Sequence, residues 1–376
     1  MTGLYIHIPF CSSRCVYCGF YSTTLGAEYR DAYVDALCRE MRLRASSLGG
    51  KPSLSTIYLG GGTPSQLSEE NIAQLFSRIN ETFDVESVSE ITMECNPDDV
   101  TPDFAAHISR YVNRVSMGAQ TFSDERLRFL RRRHTSDEVA AAVSNLLGAG
   151  IGNISIDLMF GFPGETLKEW ESDIDKALQL GVEHISAYSL MYEEGTPLYA
   201  MLEQGKIHEI SDDESLKMYD LLIDKLTAAG YEHYEISNFS RPDRRSRHNS
   251  SYWHGVPYIG IGAAAHSYLL ENGERRRSWN VSSVKEYMAA ISENHLPSES
   301  ELIDDDTHYN DVVVTALRTR EGISIDELSA SQRDYLLSNA RRFIDGGLLT
   351  LSQNHLSFTR QGLYISDSVM AELMMV

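Results

Sequence analysis

The chain opens with the run L-Y-I-H-I-P-F-C over residues 4–11, and Cys15 and Cys18 then complete the spacing C-x-x-x-C-x-x-C. An apolar strand and a proline turn therefore lead directly into three closely spaced thiols. Iron–sulfur clusters are held by cysteine thiolates, one per iron, so three thiolates on a four-iron cluster leave one iron with an open site. The spacing predicts that Cys11, Cys15 and Cys18 bind a 4Fe-4S cluster that can also take a ligand.

Two plainer interpretations of the same cysteines stay open at this point, a zinc site and unconnected buried thiols. A structural zinc site uses four protein ligands, and no fourth cysteine follows at finger or ribbon spacing. A disulfide would leave one thiol over, and unconnected buried thiols are the remaining alternative. Cys38 lies in a helical pattern and Cys95 at a strand end, so both are predicted to be core residues.

The composition limits the class of protein. The chain has 376 residues, of which 42% are hydrophobic and 23% charged, enough for one large domain or two unequal ones. It contains no apolar run of about 18 residues and no signal-peptide pattern at its start, so we expect a cytoplasmic protein, where thiols stay reduced. The formal charge of −21 disfavours nucleic acid as a partner, because such binding depends on neutralising phosphates.

The first 230 residues alternate strand-like and helical patterns, which is typical of an α/β protein with a parallel sheet. Helical periodicity is clear from Tyr29 to Leu43 and from Leu167 to Leu180. Six such units are too few for a closed eight-stranded barrel, so the pattern predicts an open (βα)6 partial barrel. The six predicted strands are Leu4–Ile8, Ser55–Leu59, Ser89–Glu94, Arg114–Met117, Asn153–Phe160 and His184–Leu190.

The cysteine segment, read as Y-x-H-I-P-F-C-x-x-x-C-x-Y-C-x-F from Tyr5 to Phe20, resembles the radical S-adenosylmethionine (SAM) enzymes. Within them it is most similar to the branch that contains oxygen-independent coproporphyrinogen III oxidase and its haem-chaperone relatives. The resemblance implies a TIM-like partial barrel. It also implies that the open iron chelates SAM, and that the reduced cluster cleaves SAM to a 5'-deoxyadenosyl radical while the protein positions and shields it.

Several polar or glycine-rich motifs fall where predicted strands end, and the carboxyl ends of parallel strands meet at one edge of a sheet. There, glycine lets a ligand approach the backbone, a carboxylate suits ribose hydroxyls or an ammonium group, and an arginine suits a carboxylate. Each residue alone could be a hydrogen-bonded strand end, but their convergence favours a ligand site. The resemblance implies that SAM is contacted by Tyr5, Gly61, Gly62, Thr63, Glu94, Gln120, Arg132, Asp157 and Ala187.

A basic cluster interrupts the acidic chain after residue 240. Four arginines occur in residues 241–247 and run into H-N-x-x-Y-W, the pattern of the haem-chaperone branch. Guanidinium groups would suit haem propionates and an imidazole would suit the iron. A solvated loop with a structural, hydrogen-bonded histidine is the alternative. The resemblance therefore predicts haem contacts, with His248 as a candidate axial ligand, from His248, Asn249, Tyr252 and Trp253.

The last part of the chain resembles a winged helix: three helical patterns, a hairpin around Gln353-Asn354 and a final helix from Arg360. Winged helices often bind DNA, but residues 304–376 contain 6 Lys and Arg against 11 Asp and Glu, a net charge of −5. An acidic surface repels phosphates, so a docking or lid role is expected instead. We thus predict a barrel over 1–230, a connecting segment over 231–303 and a winged-helix-like domain over 304–376.

The family resemblance leaves two functions, a haem carrier and a coproporphyrinogen III decarboxylase. Two features favour the carrier: Phe20 occupies a position where the decarboxylases have a further cysteine, and little chain precedes Tyr5 where they have a long segment. Radical modification of RNA would predict a basic surface, which the sequence lacks. Whether the protein is also an enzyme stays open. The expected partners are haem and an unidentified haem-acceptor protein, with membrane contact only through that acceptor.

Overall fold

The computed structural model describes residues 2–271 and 273–375. All six predicted strands form, and they pair in parallel in sequence order. These strands are β1 (Thr2–Ile8), β2 (Leu54–Gly61), β3 (Glu90–Cys95), β4 (Arg114–Gln120), β5 (Asn153–Phe160) and β6 (His184–Ser189).

Helices cover the outer face of these strands. The predicted helix from Leu167 to Leu180 forms with those bounds, because a Thr166–Glu169 capping box begins it and Gly181, at a φ of 66°, ends it. Its buried face includes Trp170 and Ile174. The helices are α1 (Ala27–Ser47), α2 (Glu69–Thr82), α3 (Pro102–Ile108), α4 (Asp124–Phe129), α5 (Ser136–Gly148), α6 (Leu167–Leu180), α7 (Pro197–Glu203) and α8 (Asp212–Ala228).

The sheet continues beyond these six strands on both sides. After α8 the chain forms two short strands, β7 (Glu232–Glu235) and β8 (Asn238–Ser240). Between them the Glu235 carboxylate accepts hydrogen bonds from the Ser237 backbone and the Asn238 side chain, which stabilises the turn. Strand β8 pairs antiparallel with β6. The resulting twelve-stranded sheet has a linear order, which defines an open partial barrel.

On the other side, β1 pairs in parallel with a strand from the predicted connecting segment. Strands β9 (Tyr258–Ile261), β10 (His266–Glu271), β11 (Glu274–Asn280) and β12 (Ser298–Ile303) complete that edge, with α9 (Arg247–Trp253) before them and α10 (Val284–Ser292) between β11 and β12. Residues 231–303 therefore contribute to the same sheet and the same apolar core as the barrel.

A buried carboxylate fastens this edge to the barrel. Glu40 of α1 is fully buried and accepts hydrogen bonds from Arg44 (2.7 Å), Asn280 (2.8 Å), the Gly262 backbone (2.8 Å) and Tyr287 (2.6 Å). A buried charge is tolerated when it is paired and hydrogen-bonded in this way. Glu40 thus ties α1 to the segment that follows β9.

The C-terminal part has its own apolar core, around Tyr309, Leu336 and Leu356. Its three-stranded sheet, in the order β13-β15-β14, and its helices give the expected winged-helix-like arrangement. The elements are α11 (Asp305–Ala316), β13 (Ile323–Ser324), α12 (Ala330–Asp345), β14 (Leu349–Ser352), β15 (His355–Phe358), α13 (Arg360–Leu363) and α14 (Ser366–Leu373). Ion pairs between Arg318 and Glu235 (2.7 Å) and between Arg360 and Asp220 (2.5 Å) join this part to the barrel.

Among the helices that the structure describes, none combines the length and apolar composition needed to cross a bilayer.

Candidate functional site

A cavity of about 710 Å³ opens at the carboxyl edge of the parallel strands. It is lined by residues of β1 to β6, by residues of the loops that follow these strands, and by two residues of α9. Three of the predicted site residues, Ala187, His248 and Trp253, do not line it. The other thirteen do: Tyr5, Cys11, Cys15, Cys18, Gly61, Gly62, Thr63, Glu94, Gln120, Arg132, Asp157, Asn249 and Tyr252.

The three cysteines sit on the loop that follows β1, and each is half-buried. Val16, between the second and the third, is buried in a small apolar cluster with Leu130 and Leu198. Its backbone nitrogen donates to the Leu130 carbonyl (3.2 Å), and its carbonyl accepts from Leu198 (3.0 Å). This anchor presents the flanking thiols to the cavity.

Two side chains donate hydrogen bonds to these sulfurs. The Thr63 hydroxyl lies 3.4 Å from Cys11 Sγ, and the Arg132 guanidinium lies 3.7 Å from Cys15 Sγ. Burial raises the pKa of the Cys11 and Cys18 thiols. Hydrogen bonds and a positive charge favour the thiolate, the form that binds metal. The donor set therefore suits a thiolate-held iron–sulfur cluster.

In the described part of the chain, no three His, Cys, Asp or Glu side chains converge closely enough to hold a single metal ion. In a four-iron cluster each thiolate binds a different iron, so the sulfurs need not converge on one point.

The glycine segment after β2 is constrained by the protein itself. Gly61 has a φ of 111°, and a Cβ there would lie 2.4 Å from the His7 ring. A Cβ on Gly62 would lie 2.6 Å from the Pro9 backbone. These glycines therefore let β2 pack against the end of β1, in addition to leaving backbone groups open to the cavity.

Two buried carboxylates face the cavity from β3 and β5. Glu94 accepts hydrogen bonds from the Tyr58 hydroxyl (2.7 Å) and the Gly61 backbone (3.0 Å), and burial raises its pKa to about 7. Burial also raises the pKa of Asp157, although the Ser186 hydroxyl and the Arg114 guanidinium oppose that shift. Carboxyl groups in such surroundings can accept hydrogen bonds from hydroxyls or pair with an ammonium group.

Arg132 and Gln120 meet beside Gly118. The Arg132 guanidinium donates to the Asn96 side chain (2.9 Å) and to the Gly118 carbonyl (2.7 Å). Gln120 has a φ of 64° at an irregular end of β4. A Cβ on Gly118 would lie 2.6 Å from the Gln120 amide and 3.1 Å from Arg132, so a larger residue there would displace the ends of these two side chains.

His248 lies behind the cavity wall. Its ring is fully buried, and each ring nitrogen has a hydrogen-bond partner at 2.8 Å, Thr56 for Nδ1 and Tyr252 for Nε2. The ring stacks on Tyr58 at 5.1 Å between centroids. Burial, with a contribution from Arg114, lowers its pKa to about 3. In this structure His248 is a neutral structural residue and is not open to an iron, so the expectation of an available axial ligand disagrees with the geometry.

Only part of the rest of this motif reaches the cavity. Asn249 and Tyr252 line the cavity, whereas the Trp253 ring lies near the Tyr234 ring, with 6.1 Å between the ring centroids. Ala187 is buried in β6, and its backbone nitrogen donates to the Ser237 carbonyl (2.8 Å).

The neighbouring arginines mainly contact the protein. Arg241 lies over the Tyr231 ring at 4.2 Å, and Arg245 pairs with Glu232 (3.3 Å) and Glu321 (2.7 Å). In this structure both side chains therefore have partners within the protein, and contact between the arginine cluster and haem propionates stays a prediction.

Sequence reasoning missed several cavity residues, including Tyr58, Asn96, Arg114 and Ser116. Along β4, every second residue from Arg114 to Gln120 lines the cavity, as the alternation of side chains in a strand requires. That alternation was the signal that could have found Arg114 and Ser116.

Comparison with known proteins agrees with this architecture. A family model described as the radical SAM superfamily matches residues 5–177, and one described as the HemN C-terminal domain matches residues 303–365. A solved structure of coproporphyrinogen III oxidase (HemN) from Escherichia coli aligns with a TM-score of 0.84 at 23% identity, covering 99% of this chain and 90% of that chain. At that identity the likeness concerns the fold. The protein is thus a radical SAM protein with a HemN-type C-terminal domain.

Closer relatives define the family. The protein named "Heme chaperone HemW" from Bacillus subtilis is 35% identical over 376 residues, with 98% of each chain covered. The Escherichia coli protein of the same name is 37% identical over 267 residues, covering 70% of this chain and 69% of the relative. The chain belongs to the HemW family.

Proposed function

We propose that this protein is a haem chaperone, which binds haem and transfers it to an acceptor protein. The observation that carries the proposal is the similarity over nearly the whole chain to relatives named as heme chaperones. The same proposal includes a cytoplasmic location, a protein as the haem acceptor and no nucleic-acid partner. The charge of −21 supports the last point.

In this proposal, Cys11, Cys15 and Cys18 hold a 4Fe-4S cluster, and SAM binds beside it in the cavity. When bound and reduced, such a cluster supplies one-electron chemistry. The chain's own contribution is to hold the thiolates, through the Thr63 and Arg132 donors, and to shield them within the cavity.

The proposed SAM site lies in the same cavity. Gly61, Gly62 and Thr63 would face its methionine end, and the carboxyl groups of Glu94 and Asp157 would accept hydrogen bonds from its hydroxyl or ammonium groups. Their position in one cavity supports this assignment. The remaining proposed contacts are Tyr5, Gln120, Arg132 and Ala187, of which Ala187 would act through the backbone of β6.

The alternative function is radical decarboxylation of coproporphyrinogen III. The HemN-like fold is compatible with it. Phe20, however, occupies the position where the decarboxylases have a further cysteine, and this favours the carrier. Both functions would use the same cluster and SAM. They differ in what the protein does to the tetrapyrrole.

The test uses the full-length protein with its cluster reconstituted without oxygen. One sample is titrated with haem, and another receives coproporphyrinogen III, SAM and a reductant. The proposal predicts a saturable haem absorption band and no carbon dioxide release. Robust release, together with haem binding no tighter than to an unrelated acidic protein, would overturn it.

A further inference from the structure

Exposed apolar side chains gather at the mouth of the cavity. Eleven large apolar side chains are exposed in the described part of the chain, and only Phe20, Tyr188 and Met191 among them line this cavity. Phe20 is 73% exposed and Met191 63%. Exposing such groups beside a cavity is unfavourable unless a partner covers them, so this rim has the character of a binding surface.

The two loops that carry the rim lie close together. Phe20 follows the cluster loop, while Met191 follows β6. Glu193, two residues further on, approaches Gly19 so closely that a Cβ on this glycine would overlap the Glu193 carboxylate. The apolar groups of the two loops therefore face one opening.

Cationic side chains line the same opening. Arg14 and Arg131 are exposed, and neither forms an ion pair with the residues that the structure describes. Arg133, by contrast, pairs with Asp98 at 2.5 Å. Two unpaired guanidinium groups beside an apolar surface match a ligand that has a flat apolar body and carboxylate substituents.

We propose that haem binds across this mouth, with its ring against Phe20 and Tyr188, its propionates at Arg14 and Arg131, and the Met191 thioether available to the iron. This inference rests on the proposed haem-chaperone function and names the site for it. A methionine thioether is an established haem ligand in proteins, and aromatic side chains supply large apolar contact area. The site also leaves His248 in its buried, hydrogen-bonded position.

The experiment titrates full-length protein with haem and follows the haem absorption band. The rim variants are Phe20→Ser, Met191→Leu and the double variant Arg14→Gln with Arg131→Gln. Matched controls outside the cavity are Leu167→Ser, Met201→Leu and Arg341→Gln. Iron content and circular dichroism of every variant establish that the cluster and the fold are retained.

Phe20→Ser and the double arginine variant should each weaken haem binding by about tenfold or more, as loss of an apolar anchor or of charged hydrogen bonds implies. Met191→Leu keeps the apolar volume, so it should shift the haem band with a smaller loss of affinity. The controls should match the wild type.

Wild-type affinity and an unshifted band in all three rim variants would overturn the site. Loss of the haem band in His248→Gln alone would assign haem to the H-N-x-x-Y-W motif instead. Failure of the wild type itself to bind haem would refute the proposed function, so the two failures are distinguishable.

Discussion

Replacing His248 with glutamine tests whether this histidine is a structural residue. Its ring is fully buried and both nitrogens are hydrogen-bonded, to Thr56 and Tyr252. Glutamine can replace only part of this arrangement, so we expect the free energy of unfolding at pH 7 to fall by about 1–3 kcal/mol.

The pH dependence gives the sharper signal. The pKa of His248 is lowered from 6.5 to about 3, so the folded state keeps the ring neutral while the unfolded state takes up a proton below about pH 6.5. The stabilisation from the neutral ring is fully present above pH 6.5 and is lost as the pH falls toward 3. Between pH 7 and pH 5 this histidine alone should cost the wild type about 2 kcal/mol of stability.

The assay is urea unfolding of haem-free protein at pH 7 and pH 5. His7 and His134, whose pKa values burial lowers to about 4, contribute to the wild type and the variant alike and therefore cancel in the comparison. The wild type should lose about 2 kcal/mol more than His248→Gln over this range. His208→Gln, at an exposed position, should behave as the wild type. An equal loss in wild type and His248→Gln would refute the structural role.

Three further predictions concern the cavity. Serine at Cys11, Cys15 and Cys18 together should abolish bound iron and sulfide, whereas the control Cys38→Ser should retain both. Unchanged iron and sulfide in the triple variant would contradict a cluster at this loop. Thr63→Val removes a hydrogen bond to sulfur and should lower the cluster's midpoint potential by about 20–40 mV in an EPR titration, and Ser65→Ala should not. Gly61→Ala places a Cβ 2.4 Å from a histidine ring at a φ of 111°, so it should lower the free energy of unfolding in urea by about 2–4 kcal/mol and weaken SAM binding in calorimetry. Gly152→Ala, with open space around the glycine, is the control. Equal losses of stability and of SAM affinity in the two variants would contradict this role of Gly61.

Local sequence was sufficient for much of the architecture. The six parallel strands, α6 with its capping box and the hairpin of the C-terminal part all follow from apolar periodicity, caps and turn residues within a few positions of each element. The carboxyl-edge rule also predicted that the cluster and SAM motifs would reach one place, and eleven of their twelve predicted residues line one cavity.

Other features depend on partners far away in the sequence. The pairing of β9 with β1 joins residues about 250 positions apart, and no local pattern specifies which strand it meets. The environment of His248 likewise depends on Thr56, 192 positions earlier, and Arg245 is paired with Glu321.

The sequence by itself determined which chemical groups are present and which side of each strand they occupy. Only the tertiary structure decided which of those groups face the cavity and which are satisfied inside the protein. The physical reason is that a buried polar side chain must find a hydrogen-bond or charge partner, and that partner is supplied by whichever distant element packs against it. His248 lies behind the wall for this reason, while Phe20 and Met191 remain exposed at the mouth.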